Sequence, residues 1–150
     1  MSFQLVEPRP TVEIHLPDGR VLSGPRGAQV GSFLAAIEHD SQLVAAVVNG
    51  DLRELTFPIV MDSRVKPVTM TTPDGTRIYR RSLTFLLEMV FADMYPNATL
   101  FIDHSVASGG YYCQVKGRKP LSESELGILK VLMQKMIKDD LPFVRKEVPL

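Results

Sequence analysis

One cysteine, no net charge, no long apolar run and no complete catalytic signature set the outer limits of this 150-residue sequence. Cys113 alone forms no internal disulfide, which fits a reducing compartment. Lysine plus arginine and aspartate plus glutamate number 17 each, so no global field draws nucleic acid, and any RNA contact needs a local patch. The densest basic groups are Arg77, Arg80 and Arg81, then Lys116, Arg118 and Lys119, and either could be plain solvated surface. No run approaches the ~18 apolar residues of a membrane span. The opening MSFQLVEPRP lacks the basic flank and apolar core of a signal peptide, so a cytoplasmic chain without a membrane partner is expected. No Gly-rich turn runs into Lys-Ser or Lys-Thr, so these residues contain no phosphate cradle for ATP. What is present, 45% hydrophobic and 23% charged residues with a mean hydropathy of +0.05, describes a globular protein. A mass of 16.7 kDa suits one ordinary domain or two small ones.

The first half reads as strand, strand, helix, strand, short strand, strand. From Thr11 to Leu16, Val12, Ile14 and Leu16 share one phase; Pro17-Asp18-Gly19 supplies a turn, and Arg20 to Leu22 resumes an extended run. Val30, Phe33, Leu34 and Ile37 fall at helical spacing before a break at Asp40-Ser41. LVAAVV, an Asn49-Gly50 turn and a second short run predict a hairpin, and a last strand lies around Ser63 to Met70. His15 sits on the polar phase of its strand, as a surface residue would.

TTPDGTRIY carries a further turn signal and opens the second half. From Arg80, the spacing of Leu83, Leu86, Leu87, Val90, Phe91 and Met94 predicts an amphipathic helix ended by Pro96. Thr99 to Ile102 and Tyr111 to Val115 read as strands around Ser108-Gly109-Gly110, and continued alternation puts His104 in phase with Leu100 and Ile102 on the inner face. Ser122 with Glu125 forms a capping box for a long helix, whose expected apolar stripe is Leu126, Leu129, Met133 and Met136 or Ile137. The four methionines between residues 89 and 136 suit gap-filling in a core.

Two resemblances follow from these residues. The LPDG turn at Leu16 to Gly19 and the VNG turn at Val48 to Gly50, in that order, resemble the TGS domain of threonyl-tRNA synthetases. Residues 71–150, with YPNATL and GGYYCQV, resemble the editing domain that follows it. The resemblance implies an α+β protein: a β-grasp, ubiquitin-like TGS module over residues 9–70, then an editing-like α+β domain over 71–150, incomplete at its C-terminus. Editing domains carry two histidines at i and i+4 on the first helix, sometimes as metal ligands. Alignment through Tyr95-Pro96 puts Arg81 and Phe85 there, neither of which is a base or a metal ligand. The pairing, with DHSVASGGYYCQV, GRKPLSESEL and DDLPFVRKEVPL, also resembles the N-terminal region of bacterial nucleoside kinases of the uridine kinase and phosphoribulokinase type. That implies a kinase domain in cis, with ATP and Mg²⁺ bound there and no cofactor or metal in residues 1–150.

The expected function is a non-catalytic regulatory or binding region. Arg80, Arg81, His104, Ser105, Ser108, Gly109 and Gly110 are the candidate ligand contacts, since guanidinium, hydroxyl and backbone N–H donors suit phosphate, carboxylate or ribose oxygens. The ligand would be tRNA or other RNA, a small nucleotide or an amino acid. Two alternatives stand beside it: a trans-editing hydrolase or tRNA-binding module related to threonyl-tRNA synthetase, using His104 or Cys113, and an architectural region that dimerises a longer chain.

Overall fold

The computed structural model describes residues 3–37 and 42–149, so the expected helix break at Asp40-Ser41 lies outside the described residues. The chain divides into two compact units, 1–80 and 81–150. The class is α+β: the described residues form a five-stranded sheet, a two-stranded sheet and three helices.

In unit 1, β1 (Thr11–His15) buries Val12 and Ile14 and turns Thr11, Glu13 and His15 outward, as its alternation requires. Gly19 takes φ +88° and closes the turn to β2 (Val21–Pro25), with Leu16 N–H donating to the Arg20 carbonyl at 2.9 Å. Asp18 accepts from Arg20 N–H at 3.0 Å and from Arg20 Nε at 2.7 Å; these bonds hold its carboxyl below the usual range. The six-residue α1 (Val30–Ala35) buries Val30, Phe33 and Leu34 and has no side-chain cap. Its first N–H groups donate instead to a passing segment, Val30 to Phe57 O at 2.8 Å and Gly31 to Leu55 O at 2.8 Å. The sheet continues through β3 (Leu43–Val48), β4 (Asp51–Arg53) and β5 (Ser63–Thr69) in the order β2-β1-β5-β3-β4. β1 and β5 are parallel and the other pairs antiparallel, with α1 against the inner face: the β-grasp arrangement.

The Asn49-Gly50 turn is tied into the sheet as well as joining two strands. Both residues have positive φ, 52° and 97°, as a two-residue hairpin turn of this kind demands. Asn49 Nδ2 donates to Ser63 Oγ at 3.2 Å, and Arg64 N–H donates to Asn49 Oδ1 at 2.8 Å. Ser63 is the buried polar residue of the described core, and its hydroxyl donates to the Met61 carbonyl at 2.9 Å.

The helix expected from Arg80 begins earlier: α2 spans Pro73–Met94. TTPDG is therefore a helix start and not a free turn. Thr72 Oγ1 accepts from Gly75 N–H at 3.1 Å, and Pro73 occupies the first helical position, where its missing N–H costs nothing. Position 75 must be glycine, since a Cβ there would stand 1.8 Å from the Thr69 carbonyl oxygen.

In unit 2, α2 buries Leu86, Val90 and Phe91, and Leu87 and Met94 are partly buried against them. β6 (Thr99–Ser105) and β7 (Tyr111–Lys116) form an antiparallel ribbon whose Leu100 and Val115 face that core. α3 (Glu123–Lys138) starts at the capping box expected from Ser122 and Glu125. Of the expected stripe, Leu129 is buried with Met133 and Met136 against it, so Met136 and not Ile137 fills the last place, whereas Leu126 is half exposed and Leu132, outside the expected stripe, packs instead. Among the described residues no helix is long and apolar enough to cross a membrane.

Asn49→Ala should cost about 2 kcal/mol in urea unfolding, from a Cβ residue without a polar side chain at positive φ and from the lost partners of Ser63 and Arg64. Asn49→Gly should cost less, because it keeps the turn conformation and loses only the side-chain bonds. Equal losses for the two variants would show that the side chain alone matters.

Candidate functional site

The β6–β7 hairpin gathers five of the seven sequence-derived contacts. His104 and Ser105 end β6, and Ser108, Gly109 and Gly110 form the connection, closed by Val106 N–H donating to Gly110 O at 2.9 Å. Gly109 has φ +90°, whereas Gly110 does not need a positive φ. A bulge between Ile102 and His104 breaks the alternation on which His104 would share a face with Leu100 and Ile102. His104 instead pairs with Tyr112, its ring stacked at 5.4 Å, and its Nδ1 lies 3.4 Å from Asp103 Oδ2. Its side chain is 63% exposed, so it faces away from the packed interior.

Arg80 and Arg81 lie two turns into α2, not at its start, and both are exposed. Neither has an ion pair among the described residues, and the structure shows no bond from Arg81 to the hairpin. Thr84 Oγ1 donates to the Arg81 carbonyl at 2.9 Å, a local helix contact. Phe85, one turn on, packs against Phe143 with ring centroids 5.7 Å apart and the rings tilted at 46°. At the two positions that would carry editing histidines, unit 2 therefore has a guanidinium and an aromatic pair. Neither offers a lone pair, so these positions do not fit a metal or a general base. Among the described residues no three His, Cys, Asp or Glu side chains converge to hold a metal ion.

The periodicity also concealed a groove of about 650 Å³ in unit 2, lined by Leu87, Phe91, Leu100, Cys113 and Leu126 among others. Leu126 serves this wall and not the core. Cys113 is a poor nucleophile there: burial first, and then the Glu88 carboxylate, pushes its thiol up from its ordinary value. Its Sγ makes only a long contact of 3.8 Å to the Tyr111 carbonyl.

A polar cluster fixes the far side of the same unit. The Arg118 guanidinium lies 3.9 Å over the Tyr95 ring, and its Nη2 is 2.5 Å from Glu125 Oε1. Tyr95 OH donates to the same oxygen at 3.3 Å, and Ser122 N–H donates to Glu125 Oε2 at 2.8 Å. The Ser122 backbone N–H first, and then Arg118, hold the Glu125 carboxyl down at about 2. Arg118 thus belongs to a structural network, which removes it from the free basic surface suggested by Lys116, Arg118 and Lys119.

In unit 1 the LPDG and VNG turns, far apart in sequence, meet at one end of the sheet. Leu16, Pro17 and Gly50 line one hollow with His15, Arg64 and Lys66, and Asn49 and Asp62 join the next. The parallel pairing of β1 with β5, Ile14 opposite Ser63 and His15 opposite Arg64, brings them together.

No family model matches the chain. It is similar to a threonine–tRNA ligase of Thermotoga petrophila, 32% identical over 143 residues, covering 91% of this chain and 22% of the ligase. A threonine–tRNA ligase of Enterococcus faecalis is 29% identical over 140 residues, covering 92% of this chain and 22% of the ligase. Threonine–tRNA ligase 2 of Bacillus subtilis is 28% identical over 139 residues, covering 91% and 22%. The chain is homologous to the N-terminal region of threonyl-tRNA synthetases, and it spans about a fifth of the length of the curated relatives it matches.

Because Glu125 titrates lower in the folded chain than its ordinary 4.5, it stabilises the fold above pH 4.5, and that contribution is lost as pH falls through about 2. Glu125→Gln should lower the melting temperature at pH 7, and the gap from wild type should close on acidification toward pH 2. A constant gap across that window would show that the carboxylate charge is not what holds α3.

Proposed function

We propose that this chain is a threonyl-tRNA-synthetase-related module that binds tRNA without hydrolysing its aminoacyl ester. The observation that carries the proposal is homology along nine-tenths of the chain combined with Arg81 and Phe85 in place of the i, i+4 histidine pair, the second of them packed on Phe143. Residues 9–70 would act as the TGS module and 71–150 as the editing-like domain. In unit 2, Arg81, His104, Ser105, Ser108 and the Gly109-Gly110 backbone supply donors that suit holding phosphate or ribose oxygens, and His104, the one base among them, is exposed beside Asp103 with no nucleophile bonded to it among the described residues. Arg80, in unit 1, is an exposed guanidinium that would hold a phosphate on its own unit. Cys113, with its raised thiol and no basic partner, does not support a nucleophilic step.

A finer reading adds an ATP- and Mg²⁺-dependent nucleoside kinase domain in cis. It is favoured by the strings DHSVASGGYYCQV, GRKPLSESEL and DDLPFVRKEVPL together with the missing histidines. The ligase relatives favour the synthetase-related reading over it. Reading the source DNA past the Leu150 codon decides between them, because a P-loop coding sequence in frame would establish the kinase.

The central test is tRNA binding by filter retention beside deacylation of seryl-tRNA. Micromolar, salt-sensitive binding with no acceleration of ester loss is expected, and Arg81→Ala should weaken binding several-fold. Deacylation that persists in purified protein and falls in Cys113→Ala or His104→Ala would overturn the non-hydrolytic assignment.

A further inference from the structure

The outward face of the unit 1 sheet carries two cations that the fold does not use. Arg64 and Lys66 alternate with buried Ser63 and Val65 along β5, so both side chains stand on the exposed side. Neither side chain has an ion pair or hydrogen bond among the described residues. The nearby carboxylates are already engaged: Asp62 accepts from Arg9 and from Glu13 N–H at 2.9 Å, Asp18 from Arg20, and Asp51 from Arg53 at 2.9 Å. Glu13 lies 3.6 Å from His15 Nε2. Local charge at Arg64 and Lys66 is therefore surplus in a chain whose total is zero.

The surroundings narrow the class of partner. His15 stands opposite Arg64, Val21 opposite His15, and Val47 opposite both Lys66 and Leu52. Val21 and Leu52 are about half exposed. The two cations are thus set on a shallow aliphatic bed with no deep socket of the sort that grips a peptide side chain. Two side chains at i and i+2 on a strand project about 7 Å apart, comparable to the step between successive phosphates of one nucleic-acid strand. The aliphatic bed offers a surface for the sugars between them. Asn49, the polar side chain of the adjoining turn, is already committed to Ser63 and Arg64 N–H.

We propose that this face, at Arg64 and Lys66, binds the sugar–phosphate backbone of RNA. The assignment rests on the tRNA-binding reading above and names a surface separate from the hairpin contacts of unit 2. It predicts a contact that is indifferent to base sequence and sensitive to salt, since each neutralised phosphate releases counterions.

The test uses the 150-residue chain and unfractionated tRNA, with affinity measured between 50 and 200 mM salt. Arg64→Ala with Lys66→Ala should weaken binding about tenfold at low salt and reduce the slope of log K against log salt by about 1.5, the value for two lost phosphate contacts. Arg64→Lys should keep the slope, and melting curves should match wild type because both side chains are exposed. If wild type binds and the double variant binds with the same slope, this surface is wrong while the proposed function stands. If wild type does not bind, the proposed function fails first and this surface with it. Polyglutamate competing as well as tRNA at equal charge would overturn the assignment to RNA.

Discussion

The side chain of Asn49 is the point on which unit 1 closes. A β-grasp sheet must place its last strand between its first hairpin and its second, which puts the long connection from β4 to β5 at risk of settling in the wrong register. Asn49 fixes that register by bonding to Ser63 and Arg64 as β5 begins, while its own N–H donates to the Arg64 carbonyl at 2.9 Å. Ser63 sits opposite Ile14 in the core, so the same contact aligns β5 with β1. Asparagine suits the place because it tolerates positive φ and carries both a donor and an acceptor. The exposed end of the sheet inherits its shape from this arrangement: both turns, His15 and the two free cations occupy fixed places relative to a buried hydroxyl.

Unit 2 is organised by charge at its margin and by apolar packing inside. Glu125 caps its own helix and receives Arg118 from beyond β7, while Tyr95 beneath Arg118 comes from just past the end of α2. One carboxylate therefore ties together three segments that share the small core of Leu86, Val90, Phe91 and Leu129. With only a two-stranded ribbon over the helices, the interior stays open as the groove beside Cys113. Desolvation there favours a neutral thiol, which weakens Cys113 as a nucleophile.

Much of the architecture was legible because the relevant signals are local. Period-two alternation in TVEIH, turn chemistry in LPDG and VNG, and the Ser122–Glu125 capping box each lie within a few residues of the structure they specify. The misreadings arose where a second local signal competes with the first or a distant group decides the outcome. TTPDG has the same Pro-Asp-Gly as LPDG, but the Thr72 hydroxyl caps a helix and the Thr69 carbonyl leaves room for glycine alone at position 75. Alternation counted through Ile102 puts His104 on the inner face, and a bulge that periodicity cannot register turns it toward Tyr112. Leu126 fits the helical period of α3, yet only the position of the ribbon determines that Leu132 packs and Leu126 lines a groove. The meeting of the two turns beside Arg64 depends on the parallel β1–β5 pairing, which no short window of sequence contains.

Charge balance bears on how such a chain could meet RNA. With 17 acidic and 17 basic side chains, long-range steering is weak, and at physiological salt any attraction decays over about 8 Å. Recognition then depends on cations left unneutralised at short range, and the fold determines which those are. Arg118 is withdrawn by Glu125, Arg20 by Asp18 and Arg53 by Asp51, whereas Arg64 and Lys66 keep their charge free on a rigid sheet. Arg81 and Phe85, where the resemblance would place editing histidines, lie on α2, whereas Arg64 and Lys66 lie on β5. The two sets of residues therefore stand on different elements, and a substitution in one set leaves the other in place.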